Sequence, residues 1–266
     1  MHDRDFVQIS AVIGAFGYNT FGEQLDTLTV SIADFDMSCI FAFRFNGEPC
    51  LIHDGYSATV SRKALHSYMR GGYLLDPFYV ACISGHESGL WRMDELAPDS
   101  FFSSDFVISH DIHPCVSSEA GVLIEEIGFV VPLGEGVSAT YSLMRNQGKP
   151  PFSTTEFSRL KAAEPLIKAA IQAHWKQVKP AGFVPVLSGD DDVETMFLNV
   201  FADQLTGTQR NVARMILRGH SNISIANILG ITEGTAKLHR SNIYKRLTIT
   251  SQTELFQLFI NYLSHQ

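Results

Sequence analysis

The chain has 266 residues, 45% of them hydrophobic, and a formal net charge of −8. That length accommodates two domains with a core each, and that composition is neither disordered nor fibrous. No apolar run approaches the roughly 20 residues of a membrane-spanning helix, the start MHDRDF lacks the basic stretch of a signal peptide, and the four cysteines (Cys39, Cys50, Cys82, Cys115) contain no CxxC pair, which excludes membrane and disulfide-framework classes and leaves a cytoplasmic protein with reduced thiols as the expectation.

In chain order, one or two apolar helices precede residue 36. The stretch SCIFAFRF alternates Cys39, Phe41, Phe43 and Phe45 against Ser38, Ile40, Ala42 and Arg44, the period of a strand. Asn46-Gly47 is a strong hairpin signal and makes EPCLIHDGY its partner. SRKALHSYMR and DPFYVACI read as helices, GLWRM as a short strand, and GVLIEEIGFVVPL and VSATYSLM as two longer ones. A long helix, TTEFSRLKAAEPLIKAAIQAHWKQ, follows, and the Pro/Gly/Asp-containing KPAGFVPVLSGDDD reads as a linker. The expected fold class is therefore α+β: an N-terminal α/β/α sensor domain over residues 1–180, with a central antiparallel PAS- or GAF-like sheet, a linker over 181–200, and an all-α domain over 201–266. SHDIHPC brings His110, His113 and Cys115 close together, but no second cluster completes a metal site, so a surface loop is expected. No phosphate loop, nucleophile elbow or HExxH helix is present, so neither a catalytic residue, a metal nor a cofactor is expected.

The last part of the chain is built from helix punctuation. Thr206 caps a helix with Val212, Ile216 and Leu217 on one stripe, and Gly219 ends it. Ser221 opens a second, with Ile225, Ile228 and Leu229 expected inward. Gly230 makes the turn, and Thr232 caps a third helix whose Ala236, Ile243 and Leu247 face a core. A fourth helix, SQTELFQLFINYL, adds Leu255, Leu258 and Phe259. Two short helices joined by a tight Gly-containing turn form a helix-turn-helix. From Leu205 onward seven basic residues stand against Glu233 and Glu254, whereas residues 1–204 carry 13 basic residues against 26 acidic ones. A basic module attached to an acidic one fits a polyanion partner for the first, though a solvated face on an interaction module would show the same charges.

These words resemble the C-terminal module of the LuxR-type (quorum-sensing) transcription regulators: LT at 205, G-x-SN-x-x-IA-x-x-L from Gly219, ITEGT-x-K-x-H from Ile231, SNIYKRL from Ser241 and S-x-TEL from Ser251. The sequence departs from that family in lacking an Arg-Glu pair after the first cap and in placing Arg240 where an aliphatic residue is usual. The resemblance implies that Lys237 and Ser241, with Leu238 between them, meet base edges in the major groove. Thr232, Thr235, His239 and Lys245 would hold phosphates, and Ser221 and Asn222 would bring a helix N-terminus to the DNA backbone.

The N-terminal half resembles the ligand-binding domain of the same regulators more faintly, through YMRGGYLLDP, Trp91 and GFVVPLGEG. There the Asp of the Asp-Pro pair accepts a hydrogen bond from an acyl-homoserine lactone while a Tyr and a Trp line the pocket. Asp76 and Trp91 take those places here, Tyr68 is one residue out of register, and Ala64 replaces the lactone-contacting Trp. From the residues alone, Asp76 before Pro77 is equally a helix N-cap, and one oxygen can cap while the other binds a ligand. The strand period leaves either Glu125 or Glu126 as a buried acceptor or an edge carboxylate, and Tyr56, Tyr73, Phe78, Tyr79 and Trp91 as a cage or simply a core. An acceptor is retained while a donor is lost, so the expected ligand offers an N–H or ammonium group. The expected function is thus a ligand-responsive regulator binding double-stranded DNA as a homodimer. A lactone receptor, an interaction adaptor and an enzyme using the N-terminal pocket are the alternatives.

Overall fold

The computed structural model describes residues 3–44, 48–56, 60, 62–108, 123–146, 148–178 and 200–264. The Asn46-Gly47 turn, the His110, His113 and Cys115 stretch and nearly all of the expected linker lie outside them. Five strands, β1 (Met37–Arg44), β2 (Cys50–Gly55), β3 (Gly89–Arg92), β4 (Leu123–Gly134) and β5 (Val137–Asn146), form one sheet in the order β2-β1-β5-β4-β3. Every pairing is antiparallel. The β4–β5 hairpin turns on Glu135 and Gly136, both at positive φ (53° and 71°), the two-residue turn whose twist matches the strands it joins.

Alternation along β1 sends its side chains to both faces, and both are covered. Cys39, Phe41 and Phe43 pack toward α3 (Arg62–Met69) and α4 (Pro77–Ile83) with Tyr68, Tyr73 and Tyr79. Ile40 and Ala42 pack toward α1 (Asp3–Gly14), α2 (Phe21–Val30) and α7 (Thr154–Val178), with Phe21, Leu25 and Ile171. The result is the α/β/α sandwich expected. Two short helices, α5 (Met93–Leu96) and α6 (Asp105–Ile108), lie beyond the β3 edge.

A polar clasp ties α2 to the sheet. Asp26 Oδ2 accepts from the Ser38 hydroxyl at 2.6 Å and meets His53 Nε2 at 2.7 Å, while its Oδ1 accepts from the Tyr141 hydroxyl at 2.7 Å. Gly22 permits this approach, because a Cβ there would lie 2.0 Å from the His53 ring.

The C-terminal domain holds α8 (Gly207–Leu217), α9 (Asn222–Leu229), α10 (Glu233–Leu247) and α11 (Gln252–Ser264). Thr206 and Gln209 form a capping box on α8, Ser221 accepts from Ser224 N on α9, Thr232 accepts from Thr235 N on α10, and Gly230 closes α9 in the left-handed region. Val212, Ile216, Ile225, Ala236, Ile243, Leu255 and Phe259 are fully buried among them. Ile228, expected inward, is instead 54% exposed: it stands three residues past Ile225, and the stripe continues through Leu229. The two domains share one continuous core, joined at Phe101, which is fully buried. Among the described residues no helix is long and apolar enough to cross a membrane, and no group of three His, Cys, Asp or Glu side chains could hold a metal ion.

Candidate functional site

Asp76 is held by the local grammar of its own word. Pro77 fixes the first residue of α4, and Asp76, in an extended conformation, caps that helix through Oδ1, which accepts from Phe78 N at 2.8 Å. Its Oδ2 accepts from the Tyr68 hydroxyl at 2.6 Å. Both carboxylate oxygens therefore already have protein donors, and the Tyr79 amide adds a third.

Facing Asp76 from the sheet is Glu126. The β4 register runs unbroken from Glu125 to Pro132, so alternation puts the two adjacent glutamates on opposite faces of the sheet. Glu126 shares the face of Gly128 and Val130 and is 5% exposed. Glu125 turns the other way, pairs with Arg92 and accepts from Phe152 N, so it is structural. Burial, and then the charge of Asp76, push Glu126 up to about 8, with a hydrogen bond from Ser142 opposing the shift. Asp76 is raised as well, because burial outweighs hydrogen bonds from Tyr68, Phe78 and Tyr79. Cys39 and Tyr68 face the same two carboxylates, and both are raised first by their own burial. This cluster carries excess negative charge and retains a proton at neutral pH.

A cavity of about 520 Å³ opens beside Glu126. Met93, Phe102, Val107, Leu123, Ile124 and Pro151 give it apolar walls, while Arg92, Asp94, Glu125 and Glu126 give it polar ones. Because Arg92 and Glu125 neutralise each other, Asp94 and Glu126 set its sign. Of the expected ligand residues only Glu125 and Glu126 line this cavity; Asp76 and the aromatic residues do not. Tyr68, Tyr73, Phe78 and Tyr79 are each at most 3% exposed, and Tyr79 packs edge-on to Phe43 and Tyr73 at 5.3 and 4.9 Å. Tyr56 is half-buried and hydrogen-bonds Cys39. Trp91 pairs with Gly128 across β3–β4, its indole donating to Glu87 O at 3.0 Å. Ala64 is buried in α3. Sequence reading missed Met93, Phe102, Val107 and Pro151, which come from four separate segments and share no motif. It also missed Cys39 and Ser142 as neighbours of the carboxylates, although the β1 alternation put Cys39 on the right face.

On the C-terminal domain, Lys237, Leu238, Ser241 and Lys245 of α10 are exposed, Leu238 by 60%. Thr235 and His239 are half-buried beside them, and Thr232 is exposed at the N-cap. Lys237 is tethered to Glu233 at 2.7 Å, one turn back. A shallow groove along this face adds Arg240 and Tyr244, which sequence reading did not select although both lie one helical turn from its choices. Ser221 and Asn222 stand half-buried at the start of α9, and the Ser221 amide donates to the sensor's Asp99 Oδ1 at 2.9 Å.

Comparison with known proteins agrees with this division. Residues 203–259 match the family described as bacterial regulatory proteins, luxR family. Over 193 residues the chain is 30% identical to a protein of Aeromonas salmonicida described as an HTH-type transcriptional regulator in the exeN 3′ region, covering 71% of this chain and 94% of that one. It is 31% identical over 119 residues to the monoamine regulon transcriptional regulator of Klebsiella aerogenes, 45% of this chain and 42% of that one. Its N-terminal fold is similar to the crystal structure of the VqsR ligand-binding domain from Pseudomonas aeruginosa, with a TM-score of 0.56 at 16% identity, covering 66% of this chain and 98% of that one.

Proposed function

This chain belongs to the luxR family of bacterial regulatory proteins, and we propose that within that family it is a cytoplasmic regulator whose sensor domain takes an organic cation rather than an acyl-homoserine lactone. The observation that carries the reading is the Asp76–Glu126 pair. A buried site that holds a proton up to about pH 8 offers a protonated amine the same negative potential. The cavity beside it supplies apolar walls for the body of such a ligand and Glu126 for its head. The Klebsiella aerogenes relative is named for a monoamine regulon, which is the same class of molecule. The ligand acts by binding two arrangements of the domains with different affinity.

As a member of this family the protein is a DNA-binding transcription regulator. In our reading Lys237, Leu238 and Ser241 read bases, Thr232, Thr235, His239 and Lys245 meet phosphates, and residues 1–180, 181–200 and 201–266 are sensor, linker and reader. The protein is further proposed to bind as a homodimer on an inverted repeat, since one module offers few contacts. An apolar hollow between α1, α2 and α7, with Ile13 56% exposed at its rim, suits a second copy. Replacing Lys237→Ala should weaken specific binding by about 1–3 kcal/mol and relax preference at one base pair. Selection from random DNA checks this: an unchanged site profile contradicts the assigned reading face.

A further inference from the structure

The C-terminal domain meets the sensor at the turn between α8 and α9 and at the start of α11. Ser100 N donates to Gly219 O at 2.9 Å, Arg218 Nε donates to Leu74 O at 3.1 Å, and Thr253 Oγ1 meets Asp105 Oδ1 at 3.2 Å. Gly219 sits at φ +89°, and a Cβ there would lie 2.5 Å from the backbone of Phe101. The two backbones therefore touch in a way that only glycine allows.

At the centre of this contact is Asp99, whose Oδ1 takes the Ser221 amide at 2.9 Å. Burial would raise its pKa, but hydrogen bonds from the Ser221 hydroxyl and amide, with His220 nearby, bring it below the ordinary value, so it is a carboxylate. It stands at the N-terminus of the scaffold helix. In a helix-turn-helix on DNA that end crosses the phosphate backbone, and its free N–H groups and dipole favour an anion. Meanwhile the α10 face stays open, with Lys237, Leu238, Ser241 and Lys245 exposed.

We infer that Asp99 is an intramolecular substitute for a DNA phosphate: the docked arrangement displays the reading helix but withholds the scaffold-helix end that seats it on the backbone. Binding DNA then requires the 98–101 segment to leave α9. The same segment runs into the cavity wall, since Phe101 packs against the reader while the adjacent Phe102 lines the cavity, their rings 5.3 Å apart. A ligand in the cavity thus touches the element that holds the reader. The inference rests on the assignment of Ser221 and Asn222 as backbone contacts.

The test uses full-length protein without added small molecule and a duplex recovered by selection from a random pool, read by fluorescence anisotropy at fixed salt. Asp99→Asn should tighten binding about fivefold, the scale of one exposed charged contact. Asp203→Asn removes the same charge from an exposed position on the reader and should leave affinity within about twofold. Asn222→Ala should weaken binding in both the wild-type and the Asp99→Asn background. No gain with Asp99→Asn, or an equal gain with Asp203→Asn, overturns the phosphate-substitute role while leaving the backbone-contact assignment standing. If Asn222→Ala changes nothing, that assignment fails and the inference with it.

Discussion

The two faces of the sheet each hold a hydrogen-bonded carboxylate, and they treat it differently. On the α2 face Asp26 receives a serine, a histidine and a tyrosine, drawn from β1, β2 and β5. On the α4 face Asp76 receives a tyrosine and a helix amide, with a second carboxylate, Glu126, beside it. The first arrangement gathers donors around one charge and locks a helix to a sheet. The second sets two like charges in a buried site next to a cavity, which costs stability unless a proton or another cation joins them. Hydrogen bonding alone therefore does not separate the two; the proposed ligand site differs by its local excess of charge beside a cavity.

The largest way to break this contrast is Asp26→Ala. It strands the Tyr141 and Ser38 hydroxyls, both fully buried, and the His53 ring. At about 1–3 kcal/mol for each stranded donor, the loss should be at least about 3 kcal/mol in chemical denaturation. Affinity for an amine, measured at a temperature where the variant remains folded, should be unchanged. On the opposite face, Asp76→Ala should cost about 2 kcal/mol of stability, through a lost cap and a stranded Tyr68 hydroxyl, partly offset by relief of the charge beside Glu126. In the proposed site it should also weaken amine binding at least about tenfold, by removing one of the two negative charges beside the cavity. Asp76→Asn sharpens the result, because it keeps size and much of the capping while removing charge: amine binding as tight as wild type in calorimetry would reduce Asp76 to a helix cap.

A third test is the pH dependence of the ligand-free protein. Glu126 binds its proton more tightly folded (about 8) than at its ordinary 4.5. Between those values the folded state holds more protons, so stability falls as pH rises through that window. Asp76, Cys39 and Tyr68 face the same group. Glu126→Gln should flatten the melting-temperature profile between pH 5 and 8 and raise its alkaline end. Thermal melts of both proteins check this, and parallel profiles would contradict it.

The reader domain was legible because its signals are local. Thr206, Ser221, Thr232 and Gly230 punctuate helices within a few residues of themselves, and each does so in the structure. Ile228 was misplaced by extending a stripe past the point where Leu229 takes it over. In the sensor, alternation revealed the strands, but period-2 reasoning could not choose between Glu125 and Glu126, since both faces of β4 are covered and one glutamate goes to each. Nor could it find the cavity, whose walls are brought together only by the sheet order that places β3 beyond β4. The contact between Asp99 and Ser221 spans 122 residues and has no local signature.

The most direct test of the charge-excess account is calorimetric titration of the full-length protein with 2-phenylethylamine, and separately with an acyl-homoserine lactone, from pH 6 to pH 9. A protonated amine must displace the Glu126 proton at low pH, so its affinity should rise by up to about tenfold per pH unit toward pH 8 and then level off, with the rise lost in Glu126→Gln. Amine affinity that is flat across this range, or lactone binding tighter than amine binding at pH 8, would contradict the account.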